Sequence, residues 1–117
     1  MKALALAAAL LFAPLAAHAA CATTDFAVKD FKPAAAAGGH MALPGNVVNN
    51  CAAPSAPQVR VEIKDDSGKV IASKEAWPAG TSNIAPGQSV HFDLGRLIRV
   101  QPNMSSYTVS VVSVRTW

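Results

Sequence analysis

The sequence predicts an all-β fold, an antiparallel two-sheet sandwich of about six or seven short strands behind a cleaved leader. Three observations carry that expectation. Apolar and polar residues alternate over short runs, most cleanly from Gln58 to Lys64, where Val59, Val61 and Ile63 share one face and Arg60, Glu62 and Lys64 the other. Clusters of Pro, Gly, Asn and Asp separate the runs at short intervals. After the leader, no stretch repeats apolar residues at helical spacing for as long as roughly eleven positions. Strands of that length and spacing close as a sandwich of immunoglobulin-like type, with a small barrel as the competing closure.

The leader sets the compartment. Lys2 precedes an Ala/Leu-rich run from Ala3 to Ala17, and Ala17-His18-Ala19 places small residues at the minus-three and minus-one positions of a cut after Ala19. A cut after Ala20 would put His18 at minus-three and fits less well. Pro14 interrupts the run, and its length of about 15 residues falls short of the roughly 20 that cross a bilayer. Residues 1–19 therefore read as a signal peptide and 20–117 as one domain, periplasmic or secreted, with no integral membrane span after cleavage.

From Asp25 to Lys32, Phe26 and Val28 stand two apart and suggest a first strand. The stretch Pro33-Ala34-Ala35-Ala36-Ala37-Gly38-Gly39 has no large apolar residue and reads as a flexible loop. Met41, Leu43 and Asn46-Val47-Val48 suggest a second strand, broken at Pro44-Gly45 by a turn or bulge, and Asn49 to Pro57 a loop carrying Cys51. After the Gln58–Lys64 strand, Asp65-Asp66-Ser67-Gly68 is a hairpin turn returning through Lys69 to Trp77, where Trp77-Pro78 ends the pairing. Ala85-Pro86-Gly87-Gln88 has the residues of a type II turn and leads into Val90, Phe92 and Leu94, alternating with His91 and Asp93. Tyr107, Val109 and Val111 alternate in turn, and the run through Val112 and Val114 to Trp117 reads as a central or terminal strand buried on both sides.

Removing Lys2 from ten basic residues leaves nine against seven acidic ones, a net charge of +2 for the processed chain. The basic residues are scattered, with no run and no interleaved aromatics, so nucleic acid is not an expected partner. Cys21 and Cys51 are the only cysteines, and in an oxidising compartment they imply one intramolecular disulfide closing a loop of about 30 residues, for which the chain-entropy model gives roughly 3–4 kcal/mol. The alternative use of Cys21 is lipidation: His18-Ala19-Ala20-Cys21 partly resembles a bacterial lipobox, with His18 where that pattern has an aliphatic residue. A lipidated Cys21 would leave Cys51 as an odd thiol.

The order of several short motifs resembles a known family. Gly45-Asn46-Val47-Val48-Asn49, then Val59-Arg60-Val61-Glu62-Ile63 with Asp66-Ser67-Gly68-Lys69-Val70, then Pro86-Gly87 before Phe92-Asp93-Leu94, is similar to the FxLyD-type bacterial domain. The likeness covers about half of the processed chain. It implies an immunoglobulin-like sandwich on an exported protein with an accessory role, and it supplies no catalytic residues.

No catalytic constellation stands out, and the chain is expected not to be an enzyme and to need no cofactor. Asp65-Asp66 sits in a predicted turn, Cys51 has only His40 and His91 as possible bases and no local signature, and Ser105-Ser106 lacks a nucleophile elbow. Asn103-Met104-Ser105 is a glycosylation sequon in a chain whose leader reads as bacterial. Soft ligands for Cu(I) would be His40, Met41, His91 and Met104, a set read here mainly as loop-packing or solvent-facing residues. Trp77 and Trp117 are the candidate partner surface, while Tyr107 is expected in the core. The function expected is a non-enzymatic, protein-binding module of the bacterial envelope. The alternatives are an inhibitor of a secreted hydrolase acting through the loop Ala79 to Pro86, and a periplasmic copper-binding protein.

Overall fold

In a computed structural model that describes residues 20–117, the chain forms an all-β sandwich of two three-stranded antiparallel sheets. The signal peptide reading of residues 1–19 lies outside the described residues. One sheet has the order β1-β4-β7, from β1 (Phe26–Lys29), β4 (Pro44–Asn49) and β7 (Ser89–Asp93). The other has the order β6-β5-β8, from β5 (Ala56–Lys64), β6 (Val70–Ala76) and β8 (Ser106–Arg115). A two-stranded ribbon, β2 (Ala34–Ala35) with β3 (Met41–Ala42), stands beside them. The chain crosses between sheets after β4, after β6 and after β7, the over-and-back path of immunoglobulin-type sandwiches.

Alternation explains which side chains face the core. Leu43, Gly45, Val47 and Asn49 are buried in and before β4, and Val59, Val61 and Ile63 are fully buried in β5. Phe26, Phe92, Leu94, Ile84 and Ile98 complete the core between the sheets. On the outer face of β5, Arg60 meets its cross-strand neighbour Glu75 of β6 through an ion pair, with Nε donating to Oε2 at 2.7 Å.

The hairpin turn forms as its residues dictate. Asp65 Oδ1 accepts from the Ser67 hydroxyl at 2.6 Å and from the Ser67 and Lys69 N–H groups at 2.9 and 3.1 Å, and Gly68 takes φ = +84°. Ala85-Pro86-Gly87-Gln88 closes with the Gln88 N–H donating to the Ala85 carbonyl at 3.0 Å and Gly87 at φ = +78°.

Four expectations are corrected. The first strand stops at Lys29, because Asp30 enters the left-handed region at φ = +57°. The Ala-rich segment is paired, not a plain loop: Gly38 and Gly39, at φ = +75° and +74°, turn the chain so that β2 meets β3 through backbone bonds. Pro44 and Gly45 do not break the strand but pair with Asp93 and Phe92 inside β4. Finally, β8 is an edge strand and none of its residues is fully buried. Its adjacent Val111 and Val112 arise from a bulge, since Val59 pairs with Val111 while Gln58 pairs with Ser113.

The Cys21–Cys51 disulfide forms, with Cα atoms 5.8 Å apart, and ties the start of the described chain to the loop after β4. Among the described residues no helix is long and apolar enough to cross a membrane.

Candidate functional site

Three segments meet at one end of the β6-β5-β8 sheet. β6 ends at Ala76, Pro78 cannot donate to a continued ladder, and Trp77 is left between them at the sheet margin. β8 ends at Arg115, whose cross-strand neighbour is Ala56, and Trp117 follows two residues later. Asn83, from the connection after β6, fixes that terminus: its Nδ2 donates to the Trp117 carbonyl at 3.2 Å, and its Oδ1 accepts from the Trp117 N–H at 3.0 Å.

The two indoles meet edge to face, 6.1 Å between centroids and 73° between planes. The Arg115 guanidinium lies over both, 5.6 Å from the Trp77 centroid and 4.7 Å from that of Trp117. Each cation–π contact at an exposed site is worth about 0.5–1 kcal/mol, so the two together favour this placement of Arg115 without a carboxylate. Arg115 has no ion-pair partner among the described residues, and Trp117 is 45% exposed. The result is an aromatic surface with a cation at its centre whose N–H donors remain available. Trp77 and Trp117 were legible in the sequence as candidate anchors; Asn83 and the Arg115–Trp77 contact were not, because they join residues more than thirty positions apart.

The soft-ligand residues are dispersed over the fold. His40 lies 3.4 Å through Nδ1 from the Ile98 carbonyl and forms a bridge with Arg99, and Met41 is in β3. Both line an open cavity of about 660 Å³ with Ala36, Ala42, Asp93 and Arg96, to which neither His91 nor Met104 contributes. His91 is exposed on β7 opposite Asn46, and Met104 packs half-buried against the core. Among the described residues, the one grouping of His, Cys, Asp and Glu atoms close enough to share an ion is Cys21, Asp25 and Cys51, and its two sulfurs are bonded to each other.

The connection from Ala79 to Pro86 is anchored on both sides. Ile84 is buried and exchanges backbone bonds with Ser55, and Asn83 holds Trp117, so the exposed residues fall into two short pieces, Gly80 to Ser82 and Ala85-Pro86. No family model matches the chain, and no curated protein or solved structure matches it.

Proposed function

We propose that this protein is an exported, non-enzymatic binding module of the bacterial envelope, periplasmic or secreted, that captures a protein partner through the Trp77–Arg115–Trp117 cluster. The observation that carries the reading is the guanidinium held over two indoles on an accessible margin of the sandwich. Trp and Arg are among the residues enriched where binding energy concentrates at protein interfaces, and here they stand together, with Asn83 bonded to the Trp117 backbone. A partner suited to the surface presents an apolar side chain against the Trp117 ring and a carboxylate or carbonyl toward Arg115. Export is supported by the Cys21–Cys51 disulfide, which also occupies the sulfur that a lipid anchor on Cys21 would need.

The test is capture of partners from periplasmic extract by the immobilised wild-type protein and by the W77A/W117A variant, with circular dichroism checking that both are folded. The reading predicts a defined captured protein whose recovery falls at least tenfold with the variant. Equal capture by the two proteins would remove the cluster from the binding site.

A further inference from the structure

We infer that the free edge of β8 pairs with the β8 edge of a second copy, joining two sheets into one continuous six-stranded sheet around a two-fold axis near Ser110. β8 is the longest strand of the fold and the outer member of its sheet, and none of its backbone groups bonds to a further strand among the described residues. Its outer row of N–H and C=O groups is therefore a template for another strand.

The composition of β8 sets it apart from the other edges. Ser106 to Val114 contains no charge, no Pro and no Gly, and five of those nine residues are Val or Tyr. The other outer strands carry the features that discourage pairing. β6 has Lys74 and Glu75 and faces a register shift at Ile63/Lys64, β7 is five residues long with His91 and Asp93, and β1 is four residues long and ends at Lys29.

Charge and side-chain pattern select the occupant. The only charge on β8 is Arg115 at its end, so antiparallel self-pairing puts the two cations at opposite ends of the ladder. A parallel arrangement would bring them together. Around an axis at Ser110, Val109 of one copy faces Val111 of the other, and both valines are half-buried in the free chain. They line, with Phe26, Val28, Thr23 and Thr24, a cleft of about 350 Å³ where β1 and the Thr23–Asp25 turn approach β8, which the second copy would cover. The two aromatic clusters would then lie at opposite ends of the paired strands, making a bivalent molecule. This pairing goes beyond the proposed capture of a partner and stands or falls separately from it.

Light scattering on the mature chain purified from an exporting host, across micromolar to millimolar concentrations, tests the inference with two variants. Ser110→Glu places a carboxylate opposite Arg60 within its own sheet and opposite a second Glu across the axis. It should fold normally and stay at the mass of one chain, while the wild type reaches twice that mass. Ser110→Cys should form an intermolecular disulfide, and Lys74→Cys on the β6 edge should not. A wild type that remains a single chain throughout overturns the inference, as does a dimer that Ser110→Glu leaves intact.

Discussion

Asn49 is fully buried, and its side chain is paired on every side. Its Nδ2 donates to the Ala53 and Ile84 carbonyls at 3.0 and 2.7 Å, and its Oδ1 accepts from the Cys51 N–H at 2.8 Å. One residue thus fixes the cysteine loop and the segment that leads to Asn83 and the aromatic cluster. Asn49→Ala is expected to cost about 1–3 kcal/mol in urea denaturation, because it leaves the Cys51 N–H and the Ala53 carbonyl unmatched and takes one of two bonds from the Ile84 carbonyl. Asp65 governs the opposite end of the molecule. Hydrogen bonds from the Ser67 hydroxyl, then from the Lys69 and Ser67 backbone, hold its carboxyl below the ordinary 3.8. Because the folded value is the lower one, the carboxylate stabilises the hairpin above that ordinary value and the effect disappears as pH falls through the depressed one. Asp65→Ala should therefore lower the thermal midpoint at neutral pH, and the difference from wild type should shrink in acid.

The strands that are easiest to read are those whose pattern is local. β5 and β7 follow alternation and β6 follows from its turn, all within a few positions of themselves, though β5 begins at Ala56 inside the expected loop and β7 ends at Asp93, before Leu94. β4 defeats local reading because Gly45 is there for Phe92, a residue 47 positions later: a Cβ at Gly45 would sit 2.7 Å from the Phe92 ring. Gly in a strand covered by a neighbouring aromatic is a packing device, not a break. Gly45→Ala should cost about 1–3 kcal/mol, and the penalty should shrink in a Phe92→Leu background, which a double-mutant cycle of unfolding free energies would measure. In β8, consecutive valines imitate burial on both faces when they mark a bulge on an edge strand. The β2–β3 ribbon was illegible for a different reason, since alanines give no side-chain pattern and the pairing rests on backbone bonds alone.

At the scale of the whole molecule, the sandwich and its disulfide were legible because strand spacing and an even cysteine count are properties of the entire chain. The candidate site was half legible. Trp77 and Trp117 stood out by size and position, but the cation between them and the Asn83 clamp depend on how β6, β8 and the intervening connection meet. The disulfide fits a non-cytoplasmic protein and pins the start of the described chain beside the Asn49 loop. The most direct test is the intact mass of the protein purified from an exporting bacterial host, with thiol labelling before and after reduction. The expected result is a chain beginning at Ala20 or Cys21 that gains two labels only after reduction. An acylated Cys21 with Cys51 free to react at once would contradict it.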